Sequence, residues 1–222
     1  MLHKTRGIVF RFTKYGESSI IVNIFTERFG MQAYIVNGVR SKSAKSRIAL
    51  YQPLTLLDLV VYHRDNADIL RIKEVKCLYP YQSISTDVRK TTIAMFINEI
   101  INKTVKDESH SEEVCDFLIR SLITLDHQSS GIENFHLIFL LKLCRFLGFG
   151  AQNKNEVVGG RFATTEVEAV LDVLVKAEYE DPIVISHSLR RELLELLIRF
   201  YADHIDTLGD IKSVQVLREV MS

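Results

Sequence analysis

The sequence predicts an α+β protein in two units, a small closed barrel of five strands over residues 1–82 and an α-helical domain over residues 83–222. Three observations predict it. Up to about residue 80, apolar and polar side chains alternate with period two, in segments separated by turn residues. From Thr86 onward the apolar residues recur with the period of helices. The charge changes sign near the same place. Residues 1–90 hold 15 Lys and Arg against 7 Asp and Glu, a net +8, and residues 91–222 hold 13 against 21, a net −8, beneath a formal net charge of zero.

The strands can be taken in order. Ile8, Phe10 and Phe12 share one face of the first, and residues 14–18 (KYGES) make a turn. Ile20, Val22 and Ile24 line the second strand, and Gly30 reverses the chain before Met31, Ala33 and Ile35 in the third. After a basic loop come Gln52-Pro53 and a fourth strand over residues 54–63. The turn RDNAD (64–68) leads into a fifth over 69–78, ending before Pro80. Closing such a sheet removes its exposed edges.

The helical part begins with the stripe Ile93, Phe96, Ile97, Ile100 and Ile101. A second comprises Val114, Phe117, Leu118, Ser121, Leu122 and Leu125. A third comprises Leu137, Leu140, Leu141, Cys144 and Leu147, stopped by Gly148 and Gly150. Residues 151–162 read as an irregular loop. Thr164 or Thr165 caps a helix through Ala177, Ser186 or Ser188 opens a long one to His204, and a last runs over 213–221.

Catalysis leaves little trace. GxxxxGK[ST], GxSxG and HExxH are absent, and GFG at 148–150 lacks the third glycine and preceding strand of a dinucleotide loop. The 7 histidines have no paired metal spacing, and the carboxylate pairs sit at helix-surface spacing. These absences argue against an enzyme and against a metal or other cofactor. The 3 cysteines (Cys77, Cys115, Cys144) lie far apart, which suits a reducing cytoplasm. The N-terminal MLHKTRGIVFRF lacks a sustained apolar stretch, so no signal peptide is expected, and no run is long enough to span a bilayer.

Between Gly38 and Arg47 the chain reads GVRSKSAKSR, with the cations Arg40, Lys42, Lys45 and Arg47, three serines and no acid. Such a segment cannot build a core, and its chemistry suits an anion. A barrel with a cationic loop is a design for single-stranded nucleic acid, in which cations follow the backbone and aromatic rings stack on bases. Lys14 and Arg28 add charge nearby in sequence. Tyr15 and Tyr34 are stacking candidates because a phenol tolerates a wet surface. Phe10, Phe12 and Phe25 are assigned to the core.

GIVFRFTKYGESSIIVNIFTERFG (7–30), VNGVRSKSAKSR (36–47) and LYQPLTLLDL (50–59) together resemble the bacterial recombination-mediator family RecO. Gly16, Glu17, Phe25-Thr26-Glu27, Gly30, Gly38, Arg40 and Gln52-Pro53 fall where that family has its recurring residues. The match extends to the INEIINK helix at 97–103, with weaker echoes in FHLIFLLKLCRFLGF (135–149) and LGDIKSVQVLREV (208–220). The resemblance implies an N-terminal OB-fold, a helical domain, and a cytoplasmic, nucleoid-associated bacterial protein of recombinational repair. Members bind single- and double-stranded DNA and anneal complementary strands. They contact RecR and the tail of single-strand-binding protein, so that RecA can load. Many relatives carry four zinc-ligating cysteines in the segment matching about 150–185. Here that segment holds neither Cys nor His, which excludes a zinc site there on ligand grounds and leaves a degenerate insert.

The tail of single-strand-binding protein is acidic and ends in Phe, so it needs cations and an apolar pocket. Lys142 and Arg145, three apart on one helix face beside Leu141, Cys144 and Phe149, are the candidates, unless they only complement their helix dipole. Two other readings of the chain stay open: an OB-fold adaptor for proteins, and an RNA-binding protein without mediator activity.

Overall fold

In the computed structural model, which describes residues 1–40, 45–64, 67–106 and 110–221, the chain opens with β1 (Leu2–Tyr15), β2 (Ser19–Thr26), β3 (Gly30–Val36), β4 (Leu56–Tyr62) and β5 (Leu70–Tyr79). They close into a barrel in the order β1-β2-β3-β5-β4. Neighbours are antiparallel except β3 and β5, which run parallel. This is the five-stranded OB-fold arrangement. A short helix, α1 (Lys45–Ile48), and a 3-10 turn (Ala49–Tyr51) occupy part of the connection from β3 to β4.

β1 serves two neighbours, pairing with β4 over residues 2–8 and with β2 over residues 7–15. Gly7 stands where the two pairings overlap. A Cβ there would lie 2.7 Å from Ile24 Cγ2 and 3.3 Å from the Phe25 carbonyl oxygen, so only bare backbone passes. The register shifts between Val9 and Arg11, leaving Phe10 as the extra residue of a β-bulge. The bulge exchanges the two faces. Val9 lies in the barrel core and Phe12 packs against it from the next inward position. Ile8, Phe10 and Phe12 therefore do not share a face. Ile8 pairs with Phe25 and Leu56 in a second buried row outside that core, and Phe10 stacks on Phe25 at 5.6 Å.

The third strand also differs from the expected parity. Tyr34 and Val36 point into the barrel, and Met31, Ala33 and Ile35 are only half-buried. Phe12, Val22, Tyr34 and Leu70 are successive cross-strand neighbours in one inward row.

The helices are α2 (Val88–Thr104), α3 (Ser111–His127), α4 (Phe135–Phe146), α5 (Lys154–Val158), α6 (Thr165–Leu174), α7 (His187–His204) and α8 (Ser213–Val220). The chain divides into two compact units: Met1–Tyr81 with Lys106–Ile123, and Gln82–Val105 with Thr124–Ser222. In the first, Arg6 binds Glu27 at 2.6 Å and Asp116 at 3.4 Å, and Ser111 Oγ donates to the Glu27 carbonyl at 2.8 Å. The Arg6 guanidinium holds the Glu27 carboxyl below its usual range.

In the second unit, α4 is buried on every side from Phe135 to Leu141, so it forms a centre and not an amphipathic edge. It stops in a Schellman motif: Phe149 N donates to the Cys144 carbonyl, and Gly148, at φ +86°, follows the cap. The Asp126 carboxylate accepts from the backbone N–H groups of Gln82, Ser83 and Ile84, and Lys90 Nζ reaches the Asp126 carbonyl at 2.7 Å. Buried Arg190 donates to Asn134 Oδ1 and to the carbonyls of Ile185 and Met221. Burial, helped by Arg190, pushes the His136 imidazole down to about 3.

Residues 151–162 are not wholly irregular. Asn153 caps α5 through the N–H groups of Asn155 and Glu156, and Gly159 ends it at φ +59°. Val157, Val158, Val167, Leu171 and Leu174 are buried, and Lys154 pairs with Glu168 and Asp172. Thr164 caps α6, which stops at Leu174, short of Ala177. Ser186 caps α7.

Candidate nucleic-acid interface

One row of directly paired positions runs around the outside of the barrel. Thr13 faces Ile21, Ile21 faces Ile35, Ile35 faces Arg71, Arg71 faces Tyr62 and Tyr62 faces Leu2. Each of these six residues is exposed or half-buried. Arg11, Asn23 and Ala33 form a shorter parallel row. The outer face of β2 and β3 is therefore a half-apolar strip. In OB-folds the β1–β2 and β4–β5 turns flank this face.

Cations stand at both turns. At the β1–β2 turn Lys14 and Tyr15 are exposed. Arg40 is pinned there, its backbone N–H donating to the Ser18 carbonyl at 3.0 Å and its guanidinium to the Gly16 carbonyl at 3.0 Å. Gly38, at φ +70° with open space around its Cα, makes the turn that starts the basic segment. Arg47 follows, exposed on α1. Lys42 lies outside the described residues, as does the side chain of Lys45.

Arg28 is not with this group. It sits in the β2–β3 turn, at the other end of β2, with its guanidinium 5.7 Å from the centre of the Phe29 ring. Phe29 stacks on His63 at 3.8 Å, which ties Arg28 to the β4–β5 side. There Arg64, Arg71, Tyr62 and Ile69 are exposed around a cleft of about 530 Å³. Sequence reasoning did not select Tyr62 and Arg71, and it read Arg64 only as a turn residue. Outward parity on β4 and β5 was the signal that could have found Tyr62 and Arg71.

Tyr34 is a correction. Its side chain is 0% exposed in the barrel core, so no face of the ring is open to a base. Burial raises its pKa, and its hydroxyl has no hydrogen-bond partner among the described residues.

Lys142 and Arg145 lie in the second unit and are engaged within it. Lys142 Nζ binds Glu178 at 2.8 Å and lies 5.6 Å from the Tyr179 ring centre, and Arg145 donates to the Val175 carbonyl at 2.7 Å. Phe149 packs on Phe200, Tyr201 and His204. Among the described residues no group of three or more His, Cys, Asp or Glu converges to hold a metal ion. No described helix is long and apolar enough to cross a membrane.

Comparison with known proteins decides the family. The N-terminal domain of recombination protein O matches residues 1–81, and its C-terminal domain matches residues 85–168. This chain belongs to the RecO family. DNA repair protein RecO of Flavobacterium johnsoniae is 34% identical over 235 residues, covering 99% of both chains. That of Flavobacterium psychrophilum is 36% identical over 236 residues, again with 99% coverage of each. The protein of the same name from Phocaeicola vulgatus is 29% identical over 241 residues, covering 100% of both. The C-terminal family match ends inside α6, so the segment from there to α7 lies beyond it.

Proposed function

We propose that this RecO-family protein is a DNA-binding recombination mediator whose barrel carries the strand across the outer face of β2 and β3. The observation behind this reading is the half-apolar row through Ile21 and Ile35, with Lys14 and Arg40 at one flanking turn and Arg64 and Arg71 at the other. Cations neutralise phosphates while the half-apolar strip accepts sugars and bases, which suits single strands of varied sequence. Two strands held this way repel each other less, so complementary bases can meet and anneal. The relatives' shared name supports a role in DNA repair. The helical unit would then connect annealing to RecR and to the tail of single-strand-binding protein, and so to RecA loading. The segment from about 150 to 185 is, on this reading, a zinc-finger-like insert that has replaced its metal with an apolar centre.

The test is salt dependence. Changing Arg40, Lys42, Lys45 and Arg47 together to Glu should weaken DNA binding without unfolding the protein. It should also reduce the log–log salt slope on duplex DNA by roughly 3 to 4 units. The same variant should lose annealing of strands coated by single-strand-binding protein. An unchanged affinity and slope would move the DNA surface elsewhere, and a preference for RNA of matched sequence would move the role elsewhere.

A further inference from the structure

We infer that the cleft at the β4–β5 turn receives one unstacked base of the bound strand and so makes the barrel prefer single-stranded over duplex DNA. This rests on the reading of the barrel face as a DNA surface and adds to it a particular pocket. The cleft, about 530 Å³, falls within the size range of small-molecule sites. Tyr62 and Ile69, each 46% exposed, stand at it with Ala67, and Leu70 supplies a buried floor. Arg64, Arg71 and the ammonium of Met1 are the charged groups of its described lining, which contains no carboxylate. An aromatic ring linked to a phosphate would find both an apolar bed and guanidinium groups there.

The position of the cleft fits the path of a strand. Arg71 stands between Ile35 and Tyr62 in the outer row, so the cleft opens directly beside the β2–β3 strip. A nucleotide crossing Ile35 would pass Arg71 with its phosphate and meet Tyr62 with its base. Tyr62 lies on the outer face of β4, across from Leu2 and Arg71. Its ring projects outward, and the inward neighbour Val61 does the packing in the core. A base in a duplex is paired and stacked on both sides, and it cannot enter the cleft without being flipped out.

Binding of the full chain to oligo-dT and to a duplex of the same length separates the possibilities. Tyr62→Ala should weaken oligo-dT binding about ten-fold, the scale of one lost base–aromatic stack, and weaken duplex binding much less. The salt slope should not change, because no charge is removed. Tyr62→Phe keeps the ring and should bind as wild type, which separates stacking from damage to the strand. Arg64→Gln with Arg71→Gln should instead lower the single-strand salt slope by about 1.4 units. Oligo-dT affinity untouched by Tyr62→Ala, or equal weakening on both substrates, would overturn the inference. Failure of the wider reading looks different: the four-residue Glu variant of the basic segment would then bind both substrates as wild type, and this inference would fall with it.

Discussion

At Tyr34 a hydroxyl is enclosed by the barrel core with no partner among the described residues. Burying such a group without a hydrogen bond costs about 1–3 kcal/mol, whereas a phenyl ring of the same shape costs nothing of the kind. Tyr34→Phe should therefore leave stability unchanged or raise it, seen as a higher urea midpoint at constant m-value. A loss of more than about 1 kcal/mol would mean that a bound water satisfies the hydroxyl. The residue was misread from sequence because β3 offers apolar side chains on both faces. Met31, Ala33 and Ile35 alternate as well as Tyr34 and Val36 do, so nothing local marks which set faces in. The exposure of Arg40 was legible because a charged residue in an acid-free segment has no place in a core. Its bond to the Gly16 carbonyl was not, since that partner lies 24 residues away.

At the scale of elements, α4 and the segment after α6 hold each other through Lys142 and Arg145. The Lys142–Glu178 pair joins a nearly covered ammonium (16% exposed) to a carboxylate that is mostly in solvent (68%). An acidic tail at Lys142 would compete with Glu178 for the same charge. Glu178→Gln should then tighten binding of a labelled tail peptide by up to about five-fold, the worth of an exposed ion pair. Lys142→Glu with Arg145→Glu should weaken it. Equal affinities across the three proteins would place the tail on another helix. The stripe on α4 was read correctly in period and too narrowly in extent. Periodicity reports a helix with one wet face, and a helix covered all round has none, so only its neighbours reveal the full burial.

At the scale of the whole molecule, the compact unit containing the barrel also includes residues 106–123. Arg6 is held by Asp116, and Ser111 caps the Glu27 carbonyl, so the unit draws on chain far beyond residue 82. A fragment of residues 1–82 should melt at a lower temperature than the full chain and bind a hydrophobic dye, as loosened packing does. A cooperative melt at the full-chain temperature, without dye binding, would show that the barrel is complete at residue 82.

The sequence by itself determined what is local: the change from period two to helical period, the basic segment, the capping residues Ser186 and Thr164, and the family through its ordered motifs. These depend on neighbours a few residues apart, where the physics of turns, caps and alternation acts directly. Only the tertiary structure decided which faces look outward and what meets across the strands. The Phe10 bulge reverses the parity of β1 midway, and one such slip turns every later side chain to the other face. The row that joins Ile21, Ile35, Arg71 and Tyr62 exists because closure sets four strands in one register. Pairing between residues so far apart is fixed by the packing of the barrel core, and no period in the sequence records it.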